Sequence, residues 1–444
     1  MRVIERLVGS ASRASSHARQ TSGPATYARL PRPCTACCTA REAPCAGGEA
    51  RRGALGRRYS GLLTLLLLLL AMAPAVASPR IGVVTMGPGG IFWERFGHDA
   101  MVVDDPTRGE AISYNFGYFD LAEPGFVGRF IRGRMQYMLV SLPLQQDMQY
   151  YREVGRGATI QWLDFDAAQA GSLAADLAEN AKPENARYRY DYYTDNCSTR
   201  VRDALDRALG GQLRPQMEVR SSGDTYRSES VRLASPATWM WLGFDVALGP
   251  FGDRPLTRWE QAFLPRRLAD DLRQAKRADG RPLVSSEAIL LPQLQDAEPP
   301  EHPRNLLPWL LAGLCMAGLA MTAARTRPRG VAGFALGFWL VCGTVGAVLA
   351  LSWAFTEHRA LWANRNLLLF NPLCLLLLPG AWAMLRRRSP PPRFRYMLVA
   401  VAAAAALACL PLWLQVLPQR NGHWIALLLP IHAALAWAWA RRKT

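Results

Sequence analysis

The chain has 444 residues, a formal charge of +17 and a composition that is half hydrophobic. The charge is segregated: residues 1–60 carry 11 Lys and Arg against 3 Asp and Glu, residues 306–444 carry 14 against 1, and the stretch between carries 27 against 31. A nucleic-acid reader needs its basic patch on a folded domain. Here the excess lies in a leader and in short loops, so a nucleic-acid partner is excluded.

Residues 1–56 are rich in Arg, Ala and Ser and hold Cys34, Cys37, Cys38 and Cys45. No hydrophobic periodicity surrounds these cysteines and an export signal follows them. They read as leader, or as an over-extended N-terminus without fixed structure, rather than as a zinc site. Over 57–77, Arg57 and Arg58 precede an apolar core from Leu62 to Met72, and Ala75-Val76-Ala77 is a small-x-small cleavage site. This is the pattern of a secretory signal peptide.

Residues 78–292 read as a mixed α and β extracytoplasmic domain. "RIGVVTM", "HDAMVVDD", "EAISYNFG", "QYMLVSL" and "ATIQWLDF" carry strand signals, and "PLQQDMQYYREVGR" and "DAAQAGSLAADLAENA" carry helical ones. In "YDYYTDNCSTRVRDAL", Val201, Ala204, Leu205, Ala208 and Leu209 fall at helical spacing. Gly210-Gly211 supplies a stop and Asp195 or Asn196 an N-cap. Cys197 therefore falls in the first turn of a helix.

That position favours chemistry. The first turn exposes unpaired N–H groups and the positive end of the dipole, which ease ionisation of a thiol. The same groups can hold an oxyanion. Cys197 is the only cysteine between Cys45 and Cys315, which rules out a disulfide inside the domain. His98, at the start of a strand, is the only histidine between 61 and 301. If the domain is a thiol enzyme, Cys197 is the nucleophile and His98 the general base and acid. Asn115, Tyr114 and Asp99 are candidates to orient the imidazole, and Asn196 reads chiefly as a cap. One Cys and one His leave no convincing metal set, and no cofactor is implied. Arg129, Arg132 and Arg134 form either a solvated basic face or a lipid-phosphate contact. Trp239 and Trp241 belong either to the core or to a membrane interface.

Residues 293–305 read as a linker, and 306–444 as an all-α membrane domain. Five apolar stretches, about 306–324, 331–354, 367–385, 396–417 and 424–440, each approach the length that spans a bilayer. Arginine concentrates in the first and third loops and at the C-terminus, which puts those on the cytoplasmic side and residues 78–292 outside. His358, Arg359, Asn364, Arg365 and Asn366 then lie in an outer loop, where they are candidates for headgroup binding.

Taken with their order, "FGHDAMVV", "YNFGYFD", "PENARYRYDYYTDNCSTRVRDAL" and "GPFGDRPLTRWEQAFLPRRL" resemble the N-terminal periplasmic domain of the Lnb family of lipoprotein N-acyltransferases, over about residues 80–275. The tail with "LWANRNLLLFNPL" resembles that family's membrane region. The resemblance implies an α+β fold of permuted papain-like type, as in lecithin:retinol acyltransferase-like and NlpC-type proteins, with His before Cys. It also implies acyl transfer within a diacylglyceryl lipoprotein through a thioester on Cys197. The expected protein is a multi-pass bacterial inner-membrane thiol acyltransferase with a lipid or lipoprotein substrate and a cytoplasmic C-terminus. A periplasmic cysteine hydrolase of the same fold and a non-enzymatic membrane-anchored binding module are the alternatives.

Overall fold

A computed structural model describes residues 78–219, 223–301, 305–410 and 419–440. The leader, its cysteines and the signal segment lie outside the described residues.

All five strands expected from the sequence form. They are β1 (Arg80–Met86), β2 (His98–Asp104), β3 (Ala111–Tyr118), β4 (Gln136–Pro143) and β5 (Ala158–Leu163). With β6 (Arg187–Arg189) and β7 (Val284–Leu291) they make a seven-stranded sheet in the order β6-β4-β3-β2-β1-β5-β7. Every neighbouring pair is antiparallel. The central strands read as nearly continuous apolar runs because both faces of the sheet are covered.

Successive side chains point to opposite faces. On one face Val83, Met101 and Tyr114 join a core with α3 (Ala167–Asn180), α4 (Cys197–Ala208) and α7 (Pro265–Gln274). On the other, Val84, Met86, Ala100 and Val102 pack against Met148 and Tyr151 of α2 (Leu144–Glu153). The other helices of seven or more residues in this region are α1 (Phe126–Arg132), α5 (Tyr226–Ala234) and α6 (Thr238–Ala247).

In the C-terminal region, α8 (Leu307–Thr326), α9 (Pro328–Phe355) and α12 (Gly422–Ala440) are described, with the shorter α10 (Leu378–Leu385) and α11 (Arg393–Leu407) between them. Among the described residues, three helices are long and apolar enough to cross a membrane, or four spans if a bent pair counts as one. The stretch expected as a single third span is broken: 3₁₀ turns over Arg365–Leu368 and Pro372–Leu377 lead into α10, with a bend of 42° between the pieces. Pro372 lacks a backbone donor and holds the preceding Asn371 in extended geometry.

The segment read as a linker is pinned to the sheet. Gln293 accepts from the Gly157 N–H at 2.6 Å, and the Leu294 N–H donates to Gly155 O at 3.0 Å.

The two regions are joined by polar contacts. Asn364 Nδ2 donates to Val246 O and Ala247 O at 2.8 Å each, and Asn366 Nδ2 donates to Val246 O at 2.9 Å. These are carbonyls at the C-terminal end of α6, which its own helix leaves unpaired. Asp245 takes the Trp424 indole N–H at 3.0 Å and pairs with His423. Beyond α9, the Glu357 N–H donates to Arg132 O at 2.8 Å and His358 Nε2 meets Phe130 O at 2.8 Å. Gly133, at φ +73°, makes room: a Cβ there would stand 2.8 Å from the backbone nitrogen of His358. The loop therefore docks the sheet domain through His358, Asn364 and Asn366, three of the five residues that the sequence offers as a headgroup site.

Candidate functional site

The site begins where β2 leaves a tight turn. Gly97 stands at φ +77°, and a Cβ there would meet Met86 O at 2.8 Å, so the turn into His98 requires glycine. His98 and Asn115 lie on the same face of adjacent strands, and His98 Nε2 is 3.0 Å from Asn115 Oδ1. Asn115 Nδ2 donates to Asp147 Oδ2 at 2.8 Å and to Ser113 Oγ at 3.1 Å, and Ser113 Oγ donates to Asp147 Oδ2 at 2.6 Å. Burial raises the Asp147 carboxyl, against the hydrogen bonds from Ser113 and Asn115. In its ionised form it accepts only, which turns the Asn115 amide oxygen toward the ring and puts the proton on Nε2 with a lone pair on Nδ1.

Tyr114 does not join this network. Alternation turns it to the opposite face, where it is buried in the α3/α4 core.

Cys197 opens α4. Asn196 is the N-cap: its side chain accepts the Thr199 N–H at 2.9 Å, while its own N–H donates to Thr199 Oγ1 at 2.7 Å. Its amide also donates to Tyr192 O at 2.9 Å and Phe263 O at 2.8 Å. Every polar group of Asn196 is thereby engaged in holding the helix start, which is a capping role. At the other end Gly210 and Gly211 terminate α4, as expected, at φ +66° and +81°.

The Cys197 side chain is partly buried, with its Cβ close to Gly117. The backbone N–H groups of Asp99, Ser198 and Cys197 itself lie near enough to favour its thiolate form. The end of β2 that carries His98 and Asp99 therefore packs on the start of α4. These N–H groups are also the donors that an oxyanion formed at the sulfur would use.

The electrostatics differ from the expectation of a readily ionised thiol. Burial pushes Cys197 up to about 12, and the neighbouring Asp99 carboxyl adds to the rise, while the three N–H groups oppose it. Burial and then the charge of Arg156 bring His98 down to about 4, against the hydrogen bond it makes to Asn115 Oδ1. Desolvation outweighs the helix start, so the resting pair is neutral thiol and neutral imidazole. Burial also raises Asp99 to about 7, against hydrogen bonds from Thr85 and Ser198. Asp99 faces the α4 side, with Thr85 Oγ1 donating to Oδ1 at 2.8 Å and Oδ2 buried without a hydrogen-bond partner. It adjoins the thiol rather than orienting the imidazole.

Asp147 and Ser113 are not among the sequence candidates. The carboxylates of Asp224, Glu229 and Glu301 converge closely enough to suggest a cation, but Arg267 lies among them at 3.7, 3.2 and 2.6 Å. The guanidinium fills that place.

An antiparallel sheet domain with a thiol at a helix start and a hydrogen-bonded imidazole on the adjoining strand, docked on apolar membrane-length helices, defines a two-part membrane protein. Residues 75–235 match the model of the Lnb N-terminal periplasmic domain, and residues 302–443 match that of the Lnb transmembrane domain. The chain belongs to the Lnb family, with a periplasmic N-terminal domain and a C-terminal transmembrane domain. Neither the curated proteins nor the solved structures provide a match.

Proposed function

We propose that the protein is a membrane-bound thiol acyltransferase that moves a fatty acyl chain through a thioester on Cys197, on a lipoprotein or phospholipid at the periplasmic face of the inner membrane. One observation supports this reading: the backbone N–H of Asp99, the residue after His98, lies near enough to Cys197 to favour its thiolate, and His98 Nε2 is held 3.0 Å from Asn115 Oδ1, which leaves Nδ1 as the nitrogen to take a proton.

In the first half-reaction the sulfur attacks the ester carbonyl carbon and its proton passes to His98 Nδ1. The C–S bond forms, the C–O bond breaks, and His98 returns the proton to the leaving oxygen. In the second, an amine nitrogen attacks the thioester. The C–N bond forms, the C–S bond breaks, and a proton moves from nitrogen through His98 to sulfur. Asn115 holds the tautomer, and the N–H groups of Asp99, Ser198 and Cys197 stabilise the oxyanion.

A permuted papain-like topology agrees with this reading, since the His strand precedes the Cys helix. So does an arrangement with a signal peptide over 57–77, five crossings and a cytoplasmic C-terminus.

The test is incubation of the full chain in lipid with a radiolabelled diacyl phospholipid or diacylglyceryl peptide, followed by hydroxylamine. Hydroxylamine-labile label on the peptide bearing Cys197, absent in Cys197→Ser and reduced on the order of 10²–10⁴-fold in His98→Ala, is the expected result. Release of acyl chain to water without an amide product would make the protein a hydrolase. Unchanged acyl turnover in both variants would end the thiol reading.

A further inference from the structure

One group of the large apolar side chains that the periplasmic domain leaves exposed lies on elements joined to the membrane helices, whereas Ile289 on β7 and Leu294 lie outside that group. Trp239 on α6 is 67% exposed, and Val127 and Ile131, one turn apart on α1, are 63% and 61% exposed. Phe92 and Trp93, in the turn just before His98, are exposed as well. Aromatic contacts tie the pieces into one surface. Phe92 stacks on Trp239 with ring centres 5.9 Å apart, Trp93 meets Phe119 edge-on at 5.9 Å, and Phe119 stacks on Phe126 of α1 at 5.7 Å.

Both helices that carry this surface are fixed to the ends of membrane-length helices. The last turn of α1 receives Glu357, two residues beyond α9, and the end of α6 receives Asn364 and Asn366. The apolar surface is therefore continuous with the docking interface at the end of α9, whose last residue, Phe355, is itself exposed. Basic residues flank it: Arg129, Arg132 and Arg134 lie within or just after α1, with Arg129 paired to Glu123 at 3.0 Å and Arg134 to Glu357 at 2.5 Å. Aromatic and aliphatic side chains bordered by arginine suit the boundary between acyl chains and anionic headgroups.

We infer that this surface, formed by the 92–93 turn, α1 and α6, is immersed in the periplasmic leaflet, so that the bilayer itself is its partner. The turn that leads into His98 then sits at headgroup depth, and an acyl substrate reaches the site by lateral diffusion rather than from water. The inference does not depend on Cys197 being a nucleophile.

The test uses the full chain in vesicles of phosphatidylcholine and phosphatidylglycerol. A genetically encoded fluorescent amino acid is placed at position 127 or 239, and at position 110 as a control in the β2–β3 loop. Brominated lipid is expected to quench positions 127 and 239 severalfold more strongly than position 110, with iodide showing the reverse order. Two outcomes overturn the inference: iodide access at 127 and 239 equal to that at 110, and protection of both from either quencher, which would mean a protein partner or second copy covers them. The same quenching in Cys197→Ser separates this result from the fate of the acyltransferase reading.

Discussion

Asp147 is linked to His98 through the Asn115 amide, without a hydrogen bond of its own to the imidazole. The carboxylate accepts from Asn115 Nδ2 at 2.8 Å, and the amide oxygen faces His98 Nε2 at 3.0 Å. An Asp147→Asn change removes the group that can only accept, so the Asn115 amide loses its reason to point one way. If Nδ1 is the base, thioester formation should slow on the order of 10–100-fold while KM for the acyl donor stays nearly constant. Single-turnover labelling of Cys197 measures this. A rise in KM with an unchanged rate would place Asp147 in substrate binding or packing instead.

Protonation of the thiol gives a second prediction. With Cys197 at about 12 and His98 at about 4, both groups are neutral near pH 7. Alkylation requires thiolate, whose fraction grows about tenfold per pH unit below the pKa. Iodoacetamide labelling of the peptide carrying Cys197, followed by mass spectrometry, should therefore accelerate steadily from roughly pH 6 to roughly pH 9. A rate already flat across that range would mean a preformed thiolate–imidazolium pair, the reverse of a neutral thiol beside a neutral ring.

The strands β1 to β5 and the helix α4 are legible because their apolar spacing matches the two regular periods. The edge strand β7 is not: Ser285 to Ile289 face outward, so its alternation carries no burial signal. Tyr114 and Asn115 are both candidate partners of His98 in the sequence, yet adjacent strand residues point to opposite faces, so only one of them can serve. Asp147 reads as an ordinary acidic helix residue. Its position beside Leu144, Met148 and Tyr151, on one helical stripe, is the available signal that it faces inward. The depressed ionisation of the thiol is not legible at all, since burial is a tertiary quantity. The break in the third apolar stretch is visible as Asn371-Pro372, but its length alone suggests one span. The docking role of Asn364 and Asn366 depends on the end of α6, more than 100 residues away in sequence.

Asp99 yields a prediction about stability. Its carboxyl rises from 3.8 to about 7 in the folded protein, so folding takes up a proton between those values. The cost of burying it is absent below pH 3.8, grows as pH rises, and is complete above about 7. His98 works in the opposite sense, because its lowered value makes stability rise between about 4 and 6.5. Comparing Asp99→Asn with the parent cancels the histidine contribution and keeps an acceptor for Thr85. The variant should gain stability over the parent progressively from pH 5 to pH 8, by an amount on the order of a few kcal/mol at the upper end. Scanning calorimetry of the detergent-solubilised chain measures it as a widening gap in melting temperature. A difference between the two proteins that does not change with pH would show that Asp99 does not titrate in this range.

The docking of α6 gives the last prediction. Val246 O and Ala247 O are helix-end carbonyls whose partners come from Asn364 and Asn366 of the outer loop. Both asparagines are buried, with Asn366 fully so. Leucine at position 366 is close to asparagine in size but neither donates nor accepts, so Val246 O keeps only Asn364, and the buried Asn421 Nδ2, which donates to Asn366 Oδ1 at 2.9 Å, loses its acceptor. Leaving a buried polar group unsatisfied costs about 1–3 kcal/mol. Asn366→Leu should therefore loosen α6 from the membrane region without unfolding the sheet. Hydrogen exchange of the full chain in detergent should show faster exchange over 238–248 and over 356–366, with β1 to β5 unchanged. Protection lost evenly across the sheet would mean instead that the contact supports the whole fold. No change at either segment would mean that α6 is held by its apolar packing and the Asp245 contacts with His423 and Trp424, with the amide caps adding nothing measurable.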